Sequence, residues 1–547
     1  GFFCPAAGAF LGGRGGRRPC VPPAGVWGPP QPTPVSSPIS PAACPFPPPP
    51  PVTPPPALMS AAAVHAGIPA KSVAKYDETF DVVIIGSGFA GMACALKAGR
   101  AGLKVLMIEK MSTVGGNSAI CGGNVACPVN PVQKAQGIKD SKELFIADCL
   151  KDGLGINHTN LLSTIADRCN DTIQMVVDCG CEFVPNKMLF EGGHSVPRSY
   201  EIKAGTGSGY IRPMHEELKK LKNVVIRTRC KFDDFVMEED GSVAGIVCRT
   251  GYRFNNKAVS DDLENKTGKK SVVRATKGVM LAAGGFSGNR YLRELHDPRV
   301  KGLGTDNLPG STGEVAMAAV RVGAYLVGMD FIQSTPGAPA GKKMKLLLNF
   351  NVNGSIYVDK RGNRIVNEGE RRDVIRDAVL GTPERYGYTV CDNTNFMSYD
   401  AVNRKAIMEG IKINEAWTAP TIRELAEKMG VDPDGLEKTI KRYNEVFVKN
   451  GRDDDFHKQP VNLTKRIEDG PFWACYTGMT VHHTMGGINT NVKAQALDWE
   501  GKVIPGLYAA GEITGGIHGT NRVGGNAVLD CFVFGQIAGE NAAKEVA

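Results

Sequence analysis

The sequence predicts an α/β fold, and three consecutive patterns near residue 80 support that class. Residues 81–85 are a short β-branched run, a glycine-rich turn follows at residues 86–91, and a stretch of helix-forming residues comes after the turn. A second β-branched run at residues 104–109 follows this predicted helix. Strand, tight turn, helix and strand in this order are typical of the Rossmann-type unit that binds dinucleotides.

The glycine turn assigns a physical task to each of its glycines. Gly86 permits the tight bend, Gly88 lets the backbone approach a pyrophosphate, and Gly91 lets the helix pack against the strand. The N-terminus of the helix then points at the phosphates. The cofactor contacts predicted in this turn are Gly86, Ser87, Gly88, Ala90 and Gly91.

Glu109 ends the second predicted strand, 18 residues after Gly91. A carboxylate at this place can accept hydrogen bonds from the ribose hydroxyls of a dinucleotide. Two glycine pairs follow, where the backbone must pass close to a flat group. The further cofactor contacts predicted here are Glu109, Lys110, Gly116, Asn117, Ser118, Gly122 and Gly123.

Five sequence blocks, in one order, resemble the flavoprotein subunits of fumarate reductase and succinate dehydrogenase, and most of all the soluble flavocytochrome-type fumarate reductases. The first two blocks are the glycine turn and the glycine pairs, and the others are residues 278–286, 505–512 and 524–528. The resemblance covers about residues 78–547 and implies FAD as the cofactor. By that resemblance Glu512 holds the ribityl chain and residues 526–528 offer backbone N–H groups to the flavin ring. The contacts it adds are Ala283, Gly284, Glu512, Asn526, Ala527 and Val528.

The resemblance also implies two domains in the folded part of the chain. A Rossmann-type FAD-binding domain, similar to that of glutathione reductase, is expected at residues 76–329 and 484–547. An α+β capping domain that closes over flavin and substrate is expected to interrupt it at residues 330–483. Ile422, Leu425 and Met429 have helical spacing, which predicts a helix within this cap.

A cationic clamp is the second feature that the resemblance implies. Reducing or forming a C=C bond beside a carboxylate requires cations that hold the carboxylate and polarise the alkene. Arginine suits this task because its planar fork binds a carboxylate bidentately. The family's pattern places Arg372 and Arg522 at the two clamp positions and His482 at the substrate histidine. Taken alone, an arginine is more often solvated or salt-bridged than catalytic, and the neighbouring His483 could simply be a core histidine.

Three positions depart from the family pattern. The resemblance places a proton path, which includes a proton-donor arginine, at residues that are Thr335, Leu348 and Asn351 in this chain. Leucine cannot carry a proton and asparagine is a poor acid at neutral pH. Either the substrate differs or protons arrive by another route. Nearby residues that could replace the path, although solvated surface is the default reading of each, are Lys343, Lys345, Tyr357, Arg361 and Arg371.

The sequence therefore predicts an FAD-dependent oxidoreductase that transfers hydride between flavin N5 and a C–C or C=C bond of a small carboxylate. FAD is expected to be held non-covalently, because the segment from Gly115 to Gly123 has no histidine that could tether it. One alternative is an enzyme resembling the ketosteroid dehydrogenases, acting on a non-carboxylate substrate; the retained arginines count against it. The other is a catalytically silent flavin-binding protein, favoured by the missing proton path. No motif indicates the electron donor or acceptor.

The composition argues against nucleic-acid binding, a membrane span and a cysteine metal site. The net charge of +8 comes from 64 basic and 56 acidic residues with no long basic block, which gives little support for binding nucleic acid. No uncharged apolar run of about 18 residues follows the head of the chain, so we expect no membrane span and a soluble protein. Twelve of the 15 cysteines lie beyond residue 75 without CxxC spacing, which predicts buried, reduced thiols and no metal site.

The head of the chain has a different composition. Residues 1–58 hold 19 of the 35 prolines, and no acidic residue precedes Asp77. We expect residues 1–75 to be a disordered, proline-rich head, because such a segment buries too little apolar surface to offset its ordering. It could be a transit peptide or a non-native leader ahead of Met59. The expected location is cytoplasmic, or organellar if residues 1–58 are a genuine transit peptide.

Overall fold

The computed structural model of the chain describes residues 67–258, 260–348 and 351–544. The predicted disorder of residues 1–58 lies outside these ranges. The described strands are β1 (Ile68–Pro69), β2 (Glu78–Ile85), β3 (Val105–Ile108), β4 (Val125–Ala126), β5 (Phe183–Leu189), β6 (Ser199–Ile202), β7 (Val224–Arg227), β8 (Cys230–Met237), β9 (Val243–Thr250), β10 (Lys269–Leu281), β11 (Leu326–Val327), β12 (Ile332–Gly337), β13 (Ser355–Val358), β14 (Gly387–Cys391), β15 (Ala416–Ala419), β16 (Phe472–Thr484), β17 (Gly487–Ile488), β18 (Gln495–Leu497) and β19 (Val503–Ala509).

The α-helices begin with one that directly follows the glycine turn and end with one near the C-terminus. They are α1 (Phe89–Arg100), α2 (Gly116–Ile120), α3 (Pro131–Ala135), α4 (Lys142–Asp152), α5 (Thr159–Asp178), α6 (Ser208–Lys220), α7 (Asp261–Glu264), α8 (Arg290–His296), α9 (Glu314–Arg321), α10 (Arg372–Leu380), α11 (Asn393–Met397), α12 (Ala401–Lys412), α13 (Ile422–Met429), α14 (Pro433–Arg442) and α15 (Asn526–Lys544). A π-helical turn, Tyr443–Val448, continues α14.

The main sheet has a parallel core in the order β7–β3–β2–β10–β19. β8, β9 and the first half of β10 form an antiparallel extension of this sheet, and β18 pairs with β19. Because its core strands are parallel, the carboxyl ends of β2, β3, β10 and β19 meet at one edge. That edge is where open α/β sheets bind their ligands.

Helices α1 and α15 pack unusually closely against each other beside this sheet. A Cβ added to Gly535 of α15 would lie 2.4 Å from the carbonyl oxygen of Ala90, and one added to Gly539 would lie 2.6 Å from that of Cys94. Only glycine leaves room for this approach. The packing brings the N-terminus of α15 beside the glycine turn that begins α1, so both helix ends face the same edge of the sheet.

A second sheet holds the cap, in the order β12–β16–β14–β13 with β15 also paired to β16. Its strands come from residues 332–484, which supports the predicted cap at 330–483, and the exact limits stay a prediction. The helix predicted around Leu425 is confirmed as α13, which begins after Thr421, whose side chain accepts a hydrogen bond from Glu424 N. Leu425 and Met429 are buried in the cap core, and the partly buried Ile422 packs against it.

The structure corrects the predicted boundary of the head for residues 67–75. Ile68–Pro69 form β1 and pair with Val236 and Met237 at the edge of the main sheet. Ile68 and Val73 pack against a small apolar cluster that contains Val236. These few apolar residues follow the last proline-rich run closely, so composition alone places the start of folding too late.

The twelve cysteines of the described ranges are free, and ten of them are buried. None of the helices in the described part of the chain is long and apolar enough to cross a membrane.

Candidate active site

The glycine turn has the geometry that the sequence predicts. Gly86 has a φ of +105°, and a Cβ there would lie 2.3 Å from the carbonyl oxygen of Ala282. A Cβ on Gly91 would lie 2.0 Å from the carbonyl oxygen of Gly86, so any larger residue would push α1 off the strand. The first N–H groups of α1 have no intrahelical acceptor, which makes the turn a site for phosphate oxygens.

Glu109 lies directly after β3 and is braced across the turn. Its Oε2 accepts hydrogen bonds from Ser87 Oγ at 2.7 Å and Ser87 N at 3.2 Å, and its Oε1 accepts one from Met111 N at 2.9 Å. A carboxylate has lone pairs beyond these three. Glu109 can therefore accept ribose hydroxyls in a fixed orientation.

Lys110, Asn117 and Ser118 have protein partners in the wall of the predicted cofactor site. Lys110 Nζ donates to Glu314 Oε1 at 2.5 Å, Asn117 Nδ2 donates to Ser311 Oγ at 2.7 Å, and Ser118 Oγ accepts from Phe89 N at 3.1 Å. Their side chains brace the wall. Their role as direct cofactor contacts stays a prediction.

Beyond the glycine turn, most of the glycines predicted to contact the cofactor border open space. A Cβ added to Gly116, Gly122 or Gly284 would meet no atom within 4 Å. Gly123 differs, since a Cβ there would lie 2.6 Å from Ile202 and its carbonyl accepts a hydrogen bond from Tyr210 Oη at 2.7 Å. The backbone therefore borders open space at three of these four positions, which leaves room for a flat cofactor.

The N-terminus of α15 and Glu512 complete this cleft. The first N–H groups of the 19-residue α15 have no intrahelical acceptor and carry partial positive charge, which suits the electron-rich edge of a flavin. Asn526 Oδ1 is buried there without a partner. Glu512 Oε1 accepts from Thr484 N at 2.9 Å, and burial raises the pKa of Glu512 to about 7. These residues fit FAD.

The two predicted clamp arginines converge on one atom. Arg372 is the first residue of α10, Arg522 lies in the loop before α15, and both donate to Oε1 of Gln333, at 3.3 Å and 3.2 Å. Arg522 Nε is buried without a partner. No carboxylate of the described ranges forms an ion pair with either arginine. The structure brings together cations that the sequence separates by 150 residues.

Electrostatics make this pair an anion site. Burial, with Arg522 nearby, lowers the pKa of Arg372 to about 10, and burial lowers the pKa of Arg522. Both guanidinium groups stay protonated at neutral pH. Two buried cations with only a neutral amide oxygen between them are costly unless an anion joins them.

His482 projects from a β-bulge. Gln333 of β12 pairs with His483 and Ser334 pairs with Val481, so His482 is an extra residue of β16 between them. A bulge interrupts the alternation of side chains along a strand and re-aims one of them. His482 and His483 both lie close enough to Arg372 and Arg522 to be affected by their charge.

Asp306 orients the His482 ring. His482 Nδ1 lies 3.3 Å from Asp306 Oδ2, and Lys345 Nζ lies 2.8 Å from the same oxygen. Because an ionised carboxylate only accepts, Nδ1 carries the proton and Nε2 is left for a substrate. Burial lowers the pKa of His482 to about 4, against the opposing effect of Asp306. Burial raises the pKa of Asp306, but His482 and Lys345 outweigh it and hold that pKa at about 2.

The segment that carries Asp306 is fastened to β16. Thr305 Oγ1 donates to the carbonyl oxygen of Val481 at 2.8 Å, and Asn307 Nδ2 donates to that of His482 at 2.8 Å. Asp306 N also donates to Val481, at 3.3 Å. The carboxylate is therefore held beside the bulge.

The three departing positions carry no ionisable group, and their surroundings differ. Leu348 is buried in an apolar cluster, and Asn351 Nδ2 donates to Ser398 Oγ at 3.2 Å. Among the possible replacements, Lys345 contacts Asp306, and Arg371 lies near enough to Asp152 for its charge to act on that carboxylate. Of the others, Tyr357 is buried and Lys343 is exposed. Arg361 forms an ion pair with Asp359, and Arg371 forms one with Asp373.

A parallel nucleotide-binding sheet with a cleft at its carboxyl edge and an anion site at its cap defines a class: flavoproteins that carry substrate-binding residues on an inserted domain. The chain matches the FAD binding domain family over residues 81–528. It is 36% identical, over 493 residues, to the acrylate reductase flavoprotein subunit of Shewanella woodyi, which covers 88% of this chain and 95% of that relative.

Two solved structures align with most of the chain. The alignment with the open conformation of a flavocytochrome c3 fumarate reductase covers 86% of this chain and 79% of that chain, at 30% identity and a TM-score of 0.70. The alignment with a 3-ketosteroid Δ4-(5α)-dehydrogenase from Rhodococcus jostii covers 87% of this chain and 99% of that chain, at 25% identity and a TM-score of 0.70. The chain belongs to the FAD-binding flavoproteins of the fumarate reductase and succinate dehydrogenase superfamily, as predicted. It is an FAD-dependent oxidoreductase acting on CH–CH bonds.

Proposed function

We propose that the protein reduces the C=C bond of a small α,β-unsaturated carboxylate. The observation that carries this proposal is the arginine pair: Arg372 and Arg522 share one neutral oxygen and have no described carboxylate partner. A bound carboxylate supplies anionic oxygens to both guanidinium groups, and charge-assisted pairs of this kind are the strong ones. Crotonate-like, acrylate-like and fumarate-like acids all carry the required group.

The residues of the clamp have separable tasks. FAD, when bound and reduced, supplies the hydride. Arg372 and Arg522 hold the carboxylate and withdraw electron density from the alkene, which makes the β-carbon a better hydride acceptor. His482 presents Nε2 to the substrate because Asp306 engages Nδ1.

Proton supply follows a different path from the one that the family pattern implies. Leu348 cannot carry a proton, Asn351 is a poor acid at neutral pH, and Thr335 has no ionisable group. Lys345, whose side chain is 38% exposed, contacts Asp306, and Asp306 contacts His482. This string supports entry of protons from solvent at Lys345. His482 can deliver one to the α-carbon of the substrate only from its doubly protonated form, because Nε2 carries no proton while Nδ1 donates to Asp306.

An anaerobic assay with a reduced dye as electron donor tests the function. We expect the flavin-loaded protein to oxidise the dye when acrylate, fumarate or a 3-aryl acrylate is added. Arg290, an exposed arginine paired with Glu294, provides a control variant, Arg290→Ala, that should keep wild-type rates. Turnover only with a steroid enone would overturn the proposal.

The steroid alternative has the structural alignment in its favour and the charge of the site against it. A ketosteroid is neutral, so its binding would leave both guanidinium charges buried and unpaired. Such desolvated charges cost several kcal/mol, on the order of the whole binding energy of a small ligand.

A further inference from the structure

Gln333 connects the clamp arginines to a buried chain of amides that ends on a carboxylate. Its Oε1 accepts from Arg372 and Arg522, and its Nε2 donates to Asn521 Oδ1 at 2.7 Å. Asn521 Nδ2 in turn donates to Asp152 Oδ2 at 2.7 Å. Gln333 is 1% exposed, and Asn521 and Asp152 are also buried.

The direction of both amides follows from the carboxylate. Burial raises the pKa of Asp152 to about 6, so the group is mostly ionised at neutral pH and then only accepts; Asn521 therefore turns Nδ2 toward it and keeps Oδ1 for Gln333. Gln333 Nε2 donates to Asn521 and, at 3.0 Å, to the carbonyl oxygen of Arg522. The reversed amide would set a donor against two guanidinium donors. The chain thus presents an acceptor to the arginines without presenting a charge.

The neutrality of this acceptor decides what the arginines can bind. A carboxylate at residue 333 would form ion pairs with both guanidinium groups and occupy them. The amide oxygen orders the two groups around one point without forming an ion pair with either; nearby carboxylates such as Glu191 and Asp152 act on both arginines only from a distance. The charge of Arg522 contributes to the lowered pKa of Arg372, which shows that the two cations act on each other.

We propose that Gln333 is a positioning residue that sets the spacing of Arg372 and Arg522 and keeps both free for a substrate carboxylate. Asn521 and Asp152 fix the orientation of its amide. The inference rests on the proposed function of the same site and adds the residue that controls the charge of the clamp.

Two variants of the holoenzyme separate charge from shape. Gln333→Glu keeps the size and one acceptor but adds an internal carboxylate, whereas Gln333→Met removes the acceptor and stays neutral. We expect KM for acrylate to rise at least about 100-fold in Gln333→Glu and about 10-fold in Gln333→Met. A purely structural role predicts the opposite order, because Glu is the closer substitute. Gln536→Glu is the matched control, since Gln536 is equally buried and its amide donates to Thr172 Oγ1 rather than contacting the clamp.

A binding titration supports the kinetic test. Acrylate is added to the oxidised holoenzyme, which cannot reduce it, and the flavin absorbance reports the fraction of protein that has bound acrylate.

A Gln333→Glu protein with wild-type flavin content and a KM within about threefold of wild type would overturn the inference. If Gln333→Glu loses flavin, a wild-type KM in Gln333→Met overturns it instead. If wild type reduces no enoate but Gln333→Glu abolishes acrylate binding, the proposed function fails and the assignment of Gln333 stands.

Discussion

At the scale of single residues, the clamp depends on two arginines that form no ion pair with a carboxylate of the described residues. Replacing Arg372 or Arg522 by alanine should lower kcat/KM for an enoate by about 10²- to 10⁴-fold, because a buried carboxylate loses a cation worth roughly 2–5 kcal/mol. Lysine at either place should rescue poorly, since a point charge lacks the fork geometry. Steady-state rates with a dye donor measure both effects. Alanine variants as fast as Arg290→Ala would contradict the assignment.

Asp306 is the residue that sets the state of His482. In Asp306→Asn the imidazolium loses a stabilising carboxylate, while Arg372 and Arg522 continue to oppose its charge. The pKa of His482 should therefore fall, and any limb of the kcat/KM profile that reports a protonated His482 should move to lower pH. We expect kcat/KM to drop about 10- to 100-fold with unchanged flavin content.

A surface pair provides the control for Asp306. Asp330 contacts His296 Nδ1 at 2.8 Å and is 75% exposed, so Asp330→Asn removes a similar Asp–His contact outside the site. Its pH profile should match that of wild type. Identical profiles for Asp306→Asn and Asp330→Asn would remove Asp306 from the site.

At the scale of elements, a buried ionic cluster holds the start of α15. Arg198 is fully buried, pairs with Asp140 and Asp148 at 2.8 Å, and lies 3.1 Å from His194 Nδ1. His194 Nε2 lies 2.8 Å from the carbonyl oxygen of Gly524. Since Arg198 can only donate, the neutral His194 accepts at Nδ1 and donates from Nε2 to the loop that precedes α15.

This cluster predicts an acid-sensitive attachment. Burial, with help from Arg198, lowers the pKa of His194 to about 4, below its ordinary value of 6.5. The unfolded chain therefore binds a proton that the folded chain does not, and stability is lost as the pH falls below about 6.5 toward 4. Between pH 7 and 5 the free energy of unfolding should fall by roughly 2 kcal/mol more in wild type than in His194→Gln. Urea unfolding at both pH values measures the difference, and His296→Gln, at a partly exposed histidine, serves as control.

The secondary-structure patterns were predictable where one segment determines its own conformation. The turn between β2 and α1 follows from three glycines, and α13 follows from apolar spacing and its Thr421 cap. The bulge at His482 was not predictable, because it exists only in the pairing of β16 with β12. Gln333 and Asp306 were missed for the same reason: their roles arise from partners far away in the sequence. Asn521, which directly precedes the predicted clamp residue Arg522, was the available hint.

At the scale of the whole molecule, two helix N-termini, those of α1 and α15, face the carboxyl edge of the main sheet, where we expect FAD to bind. The family and the cofactor were predictable from ordered motifs, whereas the mode of FAD attachment stays a prediction. We expect acid precipitation to release the flavin into the supernatant, because residues 115–123 contain no histidine to tether it. Yellow colour that stays with the pellet would show a covalent link.

The most direct measurement of the central claim compares an acid with its neutral isostere. Acrylate and acrylamide have nearly the same size and the same C=C bond. Only acrylate carries a carboxylate that can form ion pairs with Arg372 and Arg522. With the holoenzyme and a dye donor, we expect kcat/KM for acrylate to exceed that for acrylamide by at least about 10³-fold, or roughly 4 kcal/mol. Equal values for the two compounds would contradict a carboxylate clamp.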